Sequence, residues 1–159
     1  MSARGFFAIG IFNVRTPQNI GTLWRSAQMY DAAFVFTVGA RYRRQASDTP
    51  KTPRHKPLFH FRDLGDLIEH LPDACPLVGI ELDPRAQMLS DYRHPERACY
   101  LLGAEDHGLS IAARDACHDL VQIEGPKPQS LNVSVAGSLV MHDRWLRGVR
   151  SPIPSGGVA

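Results

Sequence analysis

Short apolar segments recur along the chain and alternate with segments in which apolar residues return every three or four positions. The short segments are rich in Phe, Ile, Val and Leu and predict strands at residues 5–12, 34–38, 58–61, 77–82, 99–102 and 120–123. Helical spacing or a capping residue predicts helices after Asn19, from Asp63 to about Leu71, and over residues 110–117 and 133–147. Strands that alternate with helices predict an α/β fold, with a mostly parallel sheet and helices on both faces.

The first and last predicted helices differ in their apolar pattern. The first has one apolar stripe at the i, i+3, i+4 and i+7 positions, and Asn19 is predicted to cap it. The last carries apolar residues on more than one side, so we expect more than one of its faces to be buried. Gly148 follows it, where a left-handed residue commonly ends a helix.

The length of 159 residues fits one domain, predicted at 1–150, with residues 151–159 as a flexible tail because they are rich in Pro, Gly and Ser. The net charge of +2 does not by itself indicate a nucleic acid partner.

The three cysteines (Cys75, Cys99 and Cys117) are widely spaced, which favours reduced thiols over disulfides or a zinc site. No apolar run approaches the roughly 20 residues of a membrane span, and no cleavage site follows the N-terminal apolar segment. We therefore predict a cytoplasmic protein without a membrane contact or a metal.

Three segments place small and polar residues where a predicted strand ends or a helix begins. In chain order they are Asn19-Ile20-Gly21-Thr22-Leu23-Trp24-Arg25, Gly103-Ala104-Glu105-Asp106-His107-Gly108-Leu109 and Ser130-Leu131-Asn132-Val133-Ser134-Val135-Ala136. Ligands of open α/β sheets bind beyond the carboxyl ends of strands, and glycines let a ligand approach the backbone. Each segment taken alone is equally explained as a helix cap or a turn.

Taken together and in this order, the three segments resemble the signature motifs of the SpoU family, within the SPOUT superfamily of knotted methyltransferases. They match the patterns N-x-G-x-x-x-R, G-x-E-x-x-G-L and S-L-N-V-S-x-A. The resemblance extends from Gly5 to about Arg147. One departure precedes the third motif, where family members often have I-P-M and this chain has Ile123-Glu124-Gly125-Pro126.

The resemblance implies a C-terminal trefoil knot and a bound S-adenosylmethionine, used to methylate a ribose 2′-hydroxyl in tRNA or rRNA. Three loops would bind this cofactor, and the residues predicted to do so are Ile80, Glu81, Gly103, Ile123 and Leu131. The resemblance also implies a homodimer, because family sites lie at a subunit interface.

By the same resemblance, Arg25 would assist the hydroxyl as it loses its proton. Arginine is normally always protonated, so orientation and electrostatics are expected to matter more than basicity. The residues expected to shape the site or to position Arg25 and the nucleotide are Asn19, Glu105, Ser130 and Asn132. His107 is the alternative base, because histidine titrates near neutral pH, but it occupies a variable position of the motif.

Residues 41–57 differ from the rest of the chain because they are basic and have no apolar periodicity. We expect a long exposed loop, and loops of this length are usually functional. The residues predicted to bind RNA phosphates are Arg41, Arg43, Arg44, Lys51 and Arg54, with Tyr42 available to stack on a base. The alternative is a loop that only keeps the protein in solution.

Three other functions remain open at this point. A related enzyme would methylate an RNA base, and a non-catalytic RNA-binding module would keep the fold without the reaction. A dinucleotide-binding dehydrogenase half would need G-x-G-x-x-G after the first strand, where this chain has Asn13-Val14-Arg15-Thr16-Pro17.

Overall fold

The computed structural model describes residues 5–39 and 56–149, and these form a seven-stranded sheet in the order β3-β2-β1-β6-β4-β7-β5. The strands are β1 (Phe6–Phe12), β2 (Phe34–Val38), β3 (Leu58–Phe61), β4 (Leu77–Ile80), β5 (Gln87–Met88), β6 (Arg97–Leu102) and β7 (Asp119–Gln122). Neighbouring strands of this sheet are all parallel. The predicted α/β fold with a mostly parallel sheet is therefore confirmed.

Four α-helices cover the two faces of the sheet in the described part of the chain. They are α1 (Pro17–Met29), α2 (Leu64–Glu69), α3 (Ile111–Ala116) and α4 (Val133–Leu146). On one face, buried residues of α1 and α4 pack in one core with β1 and β6. On the other face, Leu67 of α2 and Ala113 of α3 belong to a second core with Phe36 and Leu101. Helices on both faces are thus confirmed.

Gly137 allows α4 to lie close against α1 and β6. A Cβ atom at this position would lie 2.4 Å from Cδ1 of Leu23 and 3.0 Å from Cδ1 of Leu102. A larger residue would therefore push α4 away from the sheet. This close packing sets where the first turn of α4 lies, beside the carboxyl end of β6.

A buried arginine secures the far end of α4. Arg144 is 2% exposed and donates to the carbonyl oxygens of Pro95 and Glu96 over 2.6 Å, and to the Tyr100 hydroxyl over 3.2 Å. Burial raises the pKa of Tyr100 to about 12. Asp143, the residue before Arg144, contacts the buried ring of His94 over 3.0 Å. These contacts lie away from the carboxyl ends of the strands and stabilise the fold.

The structure corrects one local prediction and adds two elements. Asn19 is not the cap of α1, because the helix begins at Pro17, a residue suited to the first helical position, and Thr16 precedes it. Between β4 and β6 the chain forms β5 and a short 3-10 helix, Leu89–Asp91, neither of which the apolar pattern predicts. Within the single chain one face of α4 is buried, and the apolar residues exposed on it are Val135, Leu139, Trp145 and Leu146. The prediction that more than one face is buried included packing on a partner, so it stays a prediction.

Other local predictions are confirmed. Asp63 and Ser110 cap α2 and α3 through their side chains, and Gly148 adopts φ of +78° after α4. No helix in the described ranges is long and apolar enough to cross a membrane. The predicted tail at 151–159 and the basic segment up to residue 55 lie outside the described residues.

Candidate functional site

A cavity of about 820 Å³, counting the space at its open mouth, lies at the carboxyl ends of β4, β6 and β7. Three segments form its walls together with Val133 and Ala136 of α4. These segments are residues 80–82 from the last residue of β4 onward, residues 102–106 and 108 from the last residue of β6 onward, and residues 123 and 129–131 after β7. Parallel strands present their carboxyl ends at one edge of the sheet, which explains why three distant segments meet there. All five residues predicted to bind the cofactor line this cavity.

The cavity wall is acidic. Glu81, Glu105 and Asp106 line it, and among the described residues of its lining none is basic. Glu81 is partly satisfied by the protein, since Oε2 accepts from the backbone N–H of Leu109 over 2.6 Å and Oε1 from that of Leu82 over 3.0 Å. An excess of carboxylates around a partly enclosed space favours a ligand with a positive charge.

Two glycines in the second motif make the tight turn on one side of the cavity. Gly108 adopts φ of +61°, and its N–H donates to the carbonyl oxygen of Ala104 over 2.9 Å. A Cβ at Gly103 would lie 2.3 Å from the carbonyl carbon of Gly108. A Cβ at Gly108 would lie 2.3 Å from Oε2 of Glu81. The glycines of this motif are therefore explained by the close approach of the turn to itself and to Glu81.

The loop between β1 and α1 contacts the same turn through two adjacent side chains. Thr16 donates from Oγ1 to Oε2 of Glu105 over 2.9 Å, and Arg15 donates from Nη1 to Oδ2 of Asp106 over 3.0 Å. Thr16 stands at the cap position of α1, but its hydroxyl makes no capping bond. Its bond to Glu105 ties the first motif's loop to the second motif at the mouth of the cavity.

Asn132 joins the third motif to the first. Its Oδ1 accepts from the backbone N–H groups of Ser134 and Val135 over 3.0 and 3.3 Å, so it caps α4. Its Nδ2 donates to Oδ1 of Asn19 over 3.1 Å, and Asn19 is 7% exposed. The predicted site residues Asn19 and Asn132 are therefore in direct contact, while Ser130 and Glu105 line the cavity.

Arg25 lies on an exposed position of α1 and is not part of the cavity wall. It has no hydrogen-bond or ion-pair partner among residues 5–39 and 56–149. The next residue, Ser26, accepts a hydrogen bond from Ser138 of α4 over 2.8 Å. A single chain thus leaves the guanidinium of Arg25 available to a group from outside the described structure.

Sequence reasoning missed Arg15, Thr16 and Asp106. Their contacts join residues 89 and 91 positions apart, and no periodicity or motif signals such a pair. The nearest signal is the Thr16-Pro17 pair in the predicted loop before the first helix, which indicates a helix cap rather than a contact to another motif. The predicted RNA-binding residues Arg41, Arg43, Arg44, Lys51 and Arg54 lie outside the described residues.

Comparison with solved structures supports the fold. An AdoMet-bound rRNA methyltransferase from Sinorhizobium meliloti superposes with a TM-score of 0.74 at 20% identity, over 91% of this chain and 57% of that one. A structure described as giving insight into the 2-OH methylation of C/U34 on tRNA superposes with a TM-score of 0.73 at 22% identity, over 91% of this chain and 99% of that one. At these identities the likeness concerns the fold alone.

Comparison of sequences identifies the family. The tRNA (guanosine(18)-2′-O)-methyltransferase of Escherichia coli is 27% identical over 134 residues, which is 82% of this chain and 58% of that protein. The chain therefore spans less than two thirds of this relative's length. The model of the SpoU rRNA Methylase family matches residues 7–142, a range that contains all three motifs. The chain belongs to the SpoU rRNA methylase family.

Proposed function

We propose that this protein transfers a methyl group from S-adenosylmethionine to a ribose 2′-hydroxyl in RNA. The observation that carries the proposal is the cavity, because residues of the second and third motifs line it. Asn19 of the first motif contacts Asn132 of the third, and Thr16, which precedes the first motif, contacts the second motif at Glu105. The names of the relatives support it, since they include tRNA 2′-O-methyltransferases and an AdoMet-bound rRNA methyltransferase. Either tRNA or rRNA is consistent with these relatives.

The cavity fits this cofactor in its charge and its shape. S-adenosylmethionine carries a sulfonium cation, and the cavity lining holds three carboxylates and, among its described residues, no basic one. Of the three carboxylates, Asp106 is paired with Arg15 at the cavity mouth. The turn that contains Gly103 and Gly108 forms one wall, while Ile80, Ile123 and Leu131 provide apolar surface. We propose that these three apolar residues and the segments around Glu81 and Gly103 hold the cofactor. When bound, it supplies an electrophilic methyl group.

The remaining residues of the motifs position the nucleotide in this proposal. Asn132 and Asn19 fix the start of α4 against α1, and Thr16 fixes Glu105 at the cavity mouth. Arg25 has its donors free to hold the attacking hydroxyl and a neighbouring phosphate, for which the planar guanidinium is suited. Ser130, the first residue of the third motif, lines the cavity and would contact the nucleotide or cofactor.

We propose in addition that the protein is a homodimer with a shared site. Apolar side chains are exposed on α4 and at the end of α1, where Met29 is 78% exposed and Leu146 59%. Arg25 stands on the same helix as Met29 and outside the cavity of its own chain. Packing of these helices on a second copy would bury the apolar residues and bring Arg25 against that copy.

We propose three further features of the protein. A trefoil knot formed by the C-terminal segment is supported only by the match to the SpoU rRNA Methylase family, since the knot was inferred from the resemblance to that family. Residues 1–150 as one domain are supported by the family match to residues 7–142. A cytoplasmic location is supported by the free thiols of Cys75, Cys99 and Cys117. An experimental electron-density map that traces residues 77–146 would test the knot.

The decisive experiment measures binding and reaction separately. Calorimetric titration with S-adenosylmethionine tests the cavity, and transfer of labelled methyl to tRNA and rRNA from cells lacking the gene tests the activity. Nucleoside analysis then locates the label, which we expect on a ribose. Label on a base would make the protein a base methyltransferase. RNA binding without cofactor binding would make it a non-catalytic module.

A further inference from the structure

We propose that Arg15 binds an RNA phosphate at the mouth of the cavity, and that Asp106 competes with this phosphate for the guanidinium group. The inference rests on the proposed function, because it takes RNA to be the substrate. Arg15 lies just before α1, outside the motif that begins at Asn19, and no role is assigned to it by the pattern of the three motifs.

The position of Arg15 is set by its neighbour. Thr16 is bonded to Glu105, and Glu105 lines the cavity next to Asp106. The backbone at Arg15 is therefore held within side-chain reach of the cavity mouth. The side chain itself is 63% exposed, and that of Asp106 is 54% exposed, so an incoming polyanion reaches both.

The contact between Arg15 and Asp106 is of a kind that a phosphate can replace. In the described structure Arg15 uses a single donor, Nη1, toward Oδ2 of Asp106 over 3.0 Å. The pair is exposed, and exposed ion pairs contribute little to stability and are screened by salt. A phosphate accepts two parallel hydrogen bonds from a guanidinium, which is the stronger arrangement. Replacing Asp106 by a phosphate therefore gains a bond without a large desolvation cost.

The exchange gives Asp106 a defined part in substrate binding. Without RNA, its carboxylate holds Arg15 against the turn that carries the second motif. With RNA, the phosphate takes Arg15 and Asp106 is left facing the acidic cavity. Removing the two side chains should thus change RNA affinity in opposite directions, and the effect of Asp106 should depend on Arg15.

A double-mutant cycle in the full chain tests this dependence. Binding of tRNA from cells lacking the gene is measured by fluorescence anisotropy for wild type, Arg15→Gln, Asp106→Asn and the double variant, at several salt concentrations. Arg15→Gln should weaken binding about ten-fold and reduce the salt slope by about 0.7 to 0.9. In a chain that keeps Arg15, Asp106→Asn should raise the affinity for tRNA by about 1.5- to 5-fold, because it removes an exposed ion pair that competes with the phosphate. In a chain that already carries Arg15→Gln, Asp106→Asn should leave the affinity unchanged.

General electrostatics makes a different prediction for the same cycle. If Asp106 acts only as a nearby negative charge, its removal tightens binding equally with and without Arg15, and this result overturns the proposal. Unchanged affinity in Arg15→Gln overturns it as well, as does a wild-type protein that binds neither tRNA nor rRNA. Arg97→Gln is the matched control. Arg97 is exposed at the amino end of β6, whereas the cavity lies at the carboxyl end of that strand, so its loss should leave RNA binding unchanged.

Kinetics separates substrate binding from a structural role. Arg15→Gln should raise the KM for RNA while kcat stays within about two-fold of wild type, since the residue binds substrate away from the methyl group. Methyl transfer by the wild-type protein is measured in parallel. If the wild-type protein transfers no methyl group, the proposed function is wrong. If methyl transfer is intact but the effects of the two substitutions on RNA affinity are additive, only the proposal for Arg15 and Asp106 is wrong.

Discussion

Asn132 donates a hydrogen bond to Asn19 across 113 residues of sequence, and this bond links the first turn of α4 to the first turn of α1. Asn132 also caps α4 with its other side-chain atom, Oδ1. One side chain therefore caps the start of α4 and also joins the third motif to the first. The two contributions can be separated because each uses a different atom.

Asn132→Ala should remove both contributions, whereas Asn132→Asp should remove only one. Aspartate caps a helix as well as asparagine does, but it has no N–H to donate to Asn19. We expect Asn132→Ala to lower the free energy of unfolding by about 1 kcal/mol or more, and Asn132→Asp to lower it less. Both should weaken binding of S-adenosylmethionine. Urea denaturation and calorimetric titration measure the two effects. Equal stability losses in the two variants would contradict the division.

Arg25→Ala should abolish methyl transfer while sparing the fold and the cofactor. Arg25 has no partner among the described residues and does not line the cavity, so little native structure depends on it. We expect a rate loss of at least about 100-fold, as for other positioned electrostatic groups, and poor rescue by Lys because it lacks the planar fork. Single-turnover methylation gives the rate, and thermal unfolding gives the control. A lowered melting temperature with normal turnover per folded molecule would make Arg25 structural.

Mixed dimers should reveal whether the site is shared between two chains. Leu131→Arg places a cation on the cavity wall and should block a cationic cofactor, and Leu131 is 46% exposed, so the fold should tolerate it. If Arg25 acts on the partner's cavity, a dimer of one Arg25→Ala chain and one Leu131→Arg chain keeps one intact site. Co-expression with two different tags isolates this dimer, and we expect about half of wild-type activity. An inactive mixed dimer would show that each site is built within one chain.

Stability should fall in mild acid because of His94. Its side chain is fully buried, with Nδ1 beside the Tyr100 hydroxyl at 2.6 Å and Nε2 beside Asp143 at 3.0 Å. Burial lowers the pKa of His94; Asp143 opposes this shift, and Arg144 and Arg147 add to it. Below the ordinary histidine pKa of about 6.5, His94 is protonated in the unfolded chain but remains neutral in the native state. The contribution of His94 is thus complete above that pH and lost as the pH falls through it.

The measurement is the free energy of unfolding between about pH 7.5 and 5.5, where one such proton changes it by up to about 1.4 kcal/mol per pH unit. His94→Gln should flatten this dependence, whatever its effect on stability at neutral pH. His70→Gln is the control, because the side chain of His70 is 62% exposed. An identical slope in wild type and His94→Gln would contradict the assignment.

The elements and the motifs were predictable from the sequence because their signals are local. Apolar runs marked six strands of the sheet, and Asp63, Ser110 and Gly148 marked helix ends through bonds to their immediate neighbours or through a left-handed φ. The strand that was missed, β5, has only two residues, both exposed, and so carries no apolar pattern. Asn19 was expected to cap a helix, since the polar residue alone does not show that the helix begins two residues earlier.

The site itself depends on contacts that no local signal encodes. The strand order places β1 beside β6 and β4 beside β7, and this order brings the segments after β4, β6 and β7 to one cavity. The bonds from Thr16 to Glu105 and from Arg15 to Asp106 join positions 89 and 91 residues apart. Periodicity and capping report only on neighbours along the chain, whereas strand order and side-chain pairs across it are decided when the whole core packs at once.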